Sequence, residues 1–220
     1  MKQKIQITLG SLLLCSTFGV QAQENHKHTL DANGNRAGHS TSSPKVATAT
    51  KSVGKTAPSF WTKDSHGKPV SLQELKQKPL VLVFIEKGCP CCKSGKPYFD
   101  RIQRIYGDVA NVVGVVYGDT KLAKDWAQET KPKFRVLADP KGQIAKSYGA
   151  TVGLEARIVG TNGKIALSYA GYSAPMLSEV TAYITKVTKV RGRKMDTIPA
   201  PKELTSGCEL GSDSRSGGKK

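Results

Sequence analysis

The strongest constraint on the fold is a run of six apolar residues at positions 80–85, LVLVFI. A strand that is apolar at every position is buried on both faces, so helices must cover both sides of its sheet. Similar runs at 112–117 and 134–138 predict two further buried strands. Between the first two runs, apolar residues recur at every third position from Phe99, which predicts an amphipathic helix. Alternating strands and helices of this kind indicate an α/β fold.

Two predicted hairpins flank these elements. Residues 60–72 have the pattern of two short strands about a turn, and a second pair of strands flanks Asn162-Gly163, a strong hairpin signal. Ser173 follows the second hairpin and is placed to cap a last helix. We therefore expect a central mixed β-sheet flanked by helices, with an N-terminal β-hairpin extension and disordered tails.

The N-terminus predicts export. Lys2 and Lys4 precede an apolar stretch at 5–20, and Ala22 fits a cleavage site, so residues 1–22 have the pattern of a secretory signal peptide. An uncleaved membrane anchor is the alternative, although the stretch is short for a span of about 20 apolar residues. We expect the mature protein in the periplasm, or otherwise extracellular or membrane-associated, where disulfides form and persist.

The rest of the chain is predicted to hold one domain between two tails. Residues 23–52 have almost no large apolar side chains, so they are expected to form a disordered linker. The domain extends over 53–187. Residues 188–220 are rich in Gly, Ser, Pro and charge, which predicts a basic, flexible C-terminal tail.

Positive charge dominates the composition, with 34 Lys and Arg against 17 Asp and Glu and a net charge of +17. Such a balance often indicates binding to nucleic acid or to an anionic membrane. No nucleic-acid motif accompanies the charge, and export argues against that partner. The basic run at 186–194 favours peripheral contact with an anionic membrane surface or acidic partners. We expect a monomer.

The chemistry is expected at Cys89, Cys91 and Cys92. They follow a buried strand and open a helix, where unsatisfied backbone N–H groups and the helix dipole stabilise a thiolate. Lys87 and Lys93 add positive charge, and such surroundings lower a cysteine pKa from about 8.5 into the range of about 3.5–7.5. The C-x-x-C spacing lets Cys92, one turn further on, attack a mixed disulfide formed at Cys89.

Several short motifs occur in a fixed order: Ala57-Pro58-Ser59-Phe60, Asp64-x-x-Gly67-Lys68, Lys78-Pro79 before the first apolar run, Cys89-Pro90-Cys91-Cys92-Lys93 with Pro97, and Asn162-Gly163-Lys164-Ile165. In these motifs the domain resembles the thioredoxin-fold redoxins, which include TlpA-like thiol-disulfide oxidoreductases and AhpC/TSA peroxiredoxins. The resemblance implies a thioredoxin-like fold, a nucleophile at Cys89 and a resolving cysteine at Cys92. It also implies protein thiols or disulfides as substrates, an upstream redox partner and no cofactor.

Three features depart from the family pattern. The buried acid of thioredoxin corresponds to Val83, which leaves Glu86 as the nearest candidate base for the resolving thiol. The family's cis-proline aligns near Leu154-Glu155, so the Glu155 carboxylate is expected near the thiols, where it would raise their pKa and oppose the lysines. Cys91 adds a third thiol. It could pair with the nucleophile, although cysteines one residue apart strain disulfide geometry.

A thiol peroxidase is one alternative function. Peroxiredoxins resemble one another in a Pro-x-x-x-Thr/Ser-x-x-Cys motif, whose hydroxyl and a distant arginine activate the peroxide. Residues 73–88 contain no Thr or Ser, and Arg157 lies three residues from the position that aligns with that arginine. The peroxidase is therefore the weaker enzymatic interpretation.

A metal-binding module is the other alternative. The thiolates of Cys89, Cys91 and Cys92, with His66 or a linker histidine, could hold Zn(II) or Cu(I). Cys208 lies alone in the predicted tail. It is either an inert thiol or a second resolving cysteine for an adduct at the nucleophile.

Overall fold

The computed structural model describes residues 28–212, so the predicted signal peptide at 1–22 lies outside the described residues. A five-stranded mixed sheet forms the centre, in the order β7-β6-β5-β8-β9. The strands β5, β6 and β7 are parallel, whereas β8 and β9 run antiparallel to their neighbours. The five strands are β5 (Leu80–Ile85), β6 (Asn111–Tyr117), β7 (Arg135–Asp139), β8 (Ala156–Val159) and β9 (Ile165–Tyr169). The predicted central mixed sheet is confirmed.

Helices cover both faces of this sheet, as the wholly buried strand β5 requires. The helices are α2 (Leu72–Leu75), α3 (Pro90–Tyr106), α4 (Thr120–Thr130), α5 (Gln143–Ser147) and α6 (Ala174–Thr188). Alternate residues of β5 enter two separate cores: Val83 lies in one with α3, α4 and α6, and Leu82 lies in the other with α2 and α5. Within residues 28–212, no helix is both long and apolar enough to cross a membrane.

The N-terminal hairpin is also confirmed. Strands β3 (Trp61–Lys63) and β4 (Pro69–Ser71) pair antiparallel. The turn between them is held by Asp64, whose side chain accepts hydrogen bonds from the backbone N–H groups of His66 and Lys68 at 2.9 and 3.0 Å. His66 therefore lies in this turn. It is not a member of the group of possible metal ligands that His39, Cys91 and Cys208 form.

The expectation of a disordered linker at 23–52 is wrong for residues 28–50. These residues form β1 (His28–Leu30), β2 (Arg36–Ser40) and α1 (Ser43–Thr50). Strand β2 pairs with β1 on one edge and with β10 (Thr205–Ser206) on the other. The segment has few large apolar residues because it packs through small ones: Ala37 and Ala49 are each only 2% exposed.

The expectation of a flexible C-terminal tail is also wrong for residues 189–212. Ala200 is 1% exposed and Thr205 is fully buried, and the hydroxyl of Tyr98 on α3 donates to the carbonyl of Pro199 at 2.7 Å. Residues 205–210, which we call the C-terminal strap, carry β10 and then Gly207 and Cys208. The strap is ordered because its backbone is paired on both sides, with β2 and with residues 152–153 and 172.

Candidate redox site

Cys89 lies where the sequence predicts it, between β5 and α3. Its backbone is extended (φ −75°, ψ 115°) and it caps the helix, while Pro90 occupies the first helical turn. Proline suits this position because its fixed φ matches the helix and its missing N–H would be unpaired anyway. Cys91 and Cys92 follow within the first turn, so three thiols share one end of α3.

The C-terminal strap brings a fourth thiol to this end of the helix. The backbone N–H of Cys208 donates to the Cys89 sulfur at 3.0 Å. Gly153, just before β8, pairs with the strap in both directions: it donates to the Cys208 carbonyl at 2.8 Å and accepts from the Gly207 N–H at 2.7 Å. All four cysteines are free thiols, and Cys208 is partly exposed whereas the other three are buried.

Two glycines permit this close approach. A Cβ at Gly153 would lie 2.5 Å from the Cys92 sulfur, and a Cβ at Gly207 would lie 3.1 Å from the Cys89 sulfur and 3.2 Å from that of Cys92. Side chains at these positions would separate the strap from the thiols. The glycines therefore let two backbone segments lie directly against the sulfur atoms.

The other thiols stabilise the charged form of Cys89. Hydrogen bonds from Cys91 and then Cys92 hold the pKa of Cys89 far below the usual value for a thiol, with a smaller contribution from Cys208 and against the opposing effect of burial. The same hydrogen bonds to Cys89, together with burial, raise the pKa of Cys91 and of Cys92. These opposite shifts favour a state in which Cys89 carries the negative charge and Cys91 and Cys92 keep their protons.

Lys93 acts less directly on the thiols than its sequence position suggests. Lys93 forms an ion pair with Glu129 of α4, and both side chains are nearly half exposed. Solvent screens such a pair, so its contribution to the site is small. The main stabilisation of the Cys89 thiolate comes from neighbouring thiols, which the charge pattern of the sequence does not reveal.

Glu86 adjoins the resolving thiol. It follows β5, is 3% exposed, and its backbone N–H donates to the Cys92 sulfur. Its carboxylate accepts a hydrogen bond from the backbone N–H of Gly211, just after the strap. Glu86 thus contacts both the thiol cluster and the segment that covers it.

Glu155 has a different environment from the expected one. Its carboxylate binds the buried guanidinium of Arg157 at 2.7 Å and accepts from the backbone N–H groups of Thr151 and Val152 at 2.8 and 3.1 Å. Among the described residues, none of its hydrogen bonds or ion pairs reaches a thiol. It holds the loop that leads to Gly153, and Leu154 in that loop has a left-handed backbone (φ 67°).

Sequence reasoning considers Cys208 as a second resolving cysteine and the linker histidines as metal ligands, but it does not place His39 and Cys208 beside Cys91. One ligand nitrogen of His39 and the sulfurs of Cys91 and Cys208 lie within 4.8 Å of one another. Of the linker histidines, His39 is the one that this group places beside the thiols. Their placement depends on pairing between β2 and β10, which joins segments more than 160 residues apart and leaves no local signal.

Comparisons with known proteins agree with this fold. Residues 53–168 match the sequence model of the AhpC/TSA family. The chain is 30% identical over 125 residues to the chloroplastic peroxiredoxin Q of Sedum lineare, covering 53% of this chain and 67% of the relative. It is 26% identical over 138 residues to the thiol-disulfide oxidoreductase ResA of Bacillus thuringiensis subsp. konkukian, covering 62% and 79%.

A solved structure from Chlorobium tepidum, described as a thiol:disulfide interchange protein DsbE, superposes with a TM-score of 0.56. The two chains are 25% identical, and the match covers 62% of this chain and 97% of the other. The thioredoxin-like fold expected from the sequence motifs is confirmed.

Proposed function

Because the chain belongs to the AhpC/TSA family, we propose that it is a thiol-disulfide oxidoreductase that exchanges disulfides with partner proteins through Cys89 and Cys92. The observation that carries this proposal is the arrangement at the start of α3, where Cys91 and Cys92 share the first turn with Cys89 and the backbone N–H of Cys208 donates to the Cys89 sulfur at 3.0 Å. Donors of this kind stabilise a thiolate, and the thiolate is the species that attacks a disulfide.

In the first step, the Cys89 thiolate attacks one sulfur of a partner disulfide. A Cys89–partner disulfide forms, the partner's own S–S bond breaks, and the other partner sulfur leaves as a thiolate. Cys91 and Cys92 stop donating to Cys89 at this stage because its sulfur is no longer charged. The pKa of Cys92 is therefore expected to fall towards its ordinary value, which prepares it for the second step.

In the second step, Cys92 loses its proton and attacks the Cys89 sulfur. The Cys89–Cys92 disulfide forms and the partner leaves as a thiolate, so two electrons have moved from this protein to the partner. We assign the proton transfer to the carboxylate of Glu86, a buried acid that directly follows β5 and stands three residues before Cys89 in the chain. An upstream dithiol returns the two electrons, and the reverse sequence oxidises a partner dithiol.

Access to the nucleophile requires the C-terminal strap to move. Cys89 is 1% exposed, and Gly207 and Cys208 lie directly over its sulfur. Displacing the strap uncovers Cys89 and also frees the N–H and C=O of Gly153, which can then pair with the backbone of an extended partner segment. The strap occupies the place that a partner peptide would take.

The export signal at 1–22 belongs to the same proposal. It places the exchange in the periplasm or at the cell exterior, where protein disulfides are the available substrates. Cleavage after Ala22 would give a mature N-terminus at Gln23, and intact mass measurement of the secreted protein tests this. A mature protein that retains residues 1–22 would instead support a membrane anchor.

Reduction of insulin by the purified mature protein, with dithiothreitol as electron donor, tests the exchange. We expect wild-type protein to accelerate insulin precipitation and Cys89→Ser to abolish the acceleration. Ser94→Ala, an exposed position in the same helical turn, is the matched control and should retain the wild-type rate. An unaltered rate in Cys89→Ser would overturn the proposal.

A peroxidase remains the alternative because one relative is named peroxiredoxin Q. Arg157, the nearest arginine to the aligned position, is fully buried and donates to Glu155 and to the carbonyl groups of Tyr148 and Tyr169. Among the described residues its other hydrogen bonds go to the carbonyl groups of Ala156 and Gly149, and none goes to a thiol. Hydrogen peroxide consumption that depends on Cys89, without insulin reduction, would favour the peroxidase instead.

A further inference from the structure

His39, Cys91 and Cys208 converge beside the Cys89–Cys92 pair, and the exchange steps above use none of the three as nucleophile or resolving thiol. One imidazole nitrogen and two sulfurs lie within 4.8 Å of one another. We propose that these three residues form a binding site for a thiophilic d10 cation, Cu(I) or Zn(II), a function beyond the proposed disulfide exchange.

The donor set suits such an ion. Cu(I) and Zn(II) both bind thiolate sulfur and imidazole nitrogen, whereas Mg²⁺ and Ca²⁺ require oxygen ligands. Bond lengths of about 2.3 Å to sulfur and about 2.0 Å to nitrogen separate the ligand atoms of a tetrahedral site by about 3.5–3.8 Å. Side-chain movements of about 1 Å would bring the three ligand atoms from within 4.8 Å to this separation. Three protein ligands leave a fourth position on Zn(II) open.

The backbone holds the three ligands near this distance. His39 on β2 lies opposite Ser206 on β10, two residues before Cys208. Gly38 lets β2 approach β10, because a Cβ there would lie 2.5 Å from the Ser206 carbonyl oxygen, and the same position faces the Cβ of Cys91 at 3.5 Å, an ordinary contact distance. The site is therefore built from a strand, a helix and the strap that the sheet pairing fixes together.

A bound ion would fasten the C-terminal strap to β2 and α3. Since the strap covers Cys89, loading the site should slow disulfide exchange even though Cys89 and Cys92 are not ligands. Both cysteine ligands bind as thiolates and release their protons to solvent. The site thus couples ion binding to the opening of the strap.

Titration of reduced, metal-stripped, full-length mature protein tests the site. Zn(II) and Cu(I) are each added in competition with a chromophoric chelator. We expect one ion per chain and, by X-ray absorption, a shell of two sulfurs and one nitrogen. His39→Ala should weaken binding by at least about tenfold, since even the partners of metal ligands change affinity about 10–100-fold. His66→Ala, the exposed turn histidine, is the matched control and should bind as wild type does.

Three results would overturn the site: no stoichiometric ion on the wild-type chain, equal affinity in His39→Ala and wild type, or loss of the ion in Cys92→Ser with its retention in His39→Ala. The insulin assay separates this proposal from the exchange function. The added ion should slow insulin reduction by wild type, whereas the rate of His39→Ala should be the same with and without the ion. Failure of all insulin reduction with His39-dependent binding intact would overturn the exchange function alone.

Discussion

The backbone N–H of Cys208 donates to the sulfur of Cys89 at 3.0 Å, although the two residues are 119 positions apart in the chain. This contact joins the nucleophile to the segment that covers it. It makes the C-terminal strap part of the redox site, and it means that the reactivity of Cys89 depends on both its charge and the position of the strap.

The charge on Cys89 is measurable directly. Since Cys91 and Cys92 hold the pKa of Cys89 far below its ordinary value, the reduced protein should show the ultraviolet absorbance of one thiolate at about pH 6, where an ordinary cysteine of pKa about 8.5 is protonated. Cys89→Ser should lose that absorbance, and Cys91→Ala should shift its titration to higher pH because a donor is removed. Absence of a thiolate at this pH in wild type would contradict the assignment.

The free energy of unfolding of the reduced protein should depend on pH through Cys89, Cys91 and Cys92. Between about pH 6 and about pH 8 the unfolded chain holds one more proton than the folded protein at Cys89, so the free energy of unfolding rises by up to about 1.4 kcal/mol per pH unit. Above about pH 8.5, Cys91 and Cys92 keep protons that the unfolded chain loses, because their pKa values are raised, and stability falls.

Urea unfolding of the reduced protein across this range measures the effect. Cys89→Ser removes the group with the lowered pKa, so its stability should not show the rise that wild type has below about pH 8. A rise of the same size in the variant would assign the pH dependence to other groups.

The Glu155–Arg157 ion pair should be important for the stability of the folded protein. Arg157 is fully buried and Glu155 is 3% exposed, and removing one partner of a buried pair leaves the other charge uncompensated at a cost of about 3–5 kcal/mol. Glu155→Gln should therefore destabilise the protein strongly in urea unfolding. Glu129→Gln, which breaks the exposed pair with Lys93, is the control, and its expected effect is small because solvent screens that pair.

A side chain at Gly153 should destabilise the protein while Cys92 is present. The Cβ of Gly153→Ala would lie 2.5 Å from the Cys92 sulfur, and overpacking of this kind costs about 1–3 kcal/mol. In a Cys92→Ala background the clashing sulfur is gone, so the same substitution should cost less. Equal costs in the two backgrounds, measured as a double-mutant cycle, would show that the sulfur is not the obstacle.

Local sequence patterns were sufficient for the central fold. The wholly apolar β5 predicts burial on both faces, and the order of strands and helices predicts the mixed sheet around it. Cys89 could be placed at the start of a helix because a strand precedes it and Pro90 follows it. Each of these features is determined by residues close together in the chain, so a local sequence pattern is enough to predict it.

The covering segments could not be predicted because their stability comes from distant pairing. Thr205 is buried and its hydroxyl donates to that of Thr29 at 2.7 Å, across 176 positions. Both segments are short and polar, with a composition that resembles disorder when either is considered alone. The same reason hid the meeting of His39 with Cys208.

Trapping of a mixed disulfide by Cys92→Ser tests the central claim most directly. Without the resolving thiol, the first step should stop at the Cys89–partner disulfide. Peptide mass mapping after incubation with oxidised insulin should find an insulin chain linked to Cys89 in this variant, and a Cys89–Cys92 disulfide with no adduct in wild type. An insulin chain attached to Cys208 or Cys91 in place of Cys89, or no adduct at all, would contradict the account.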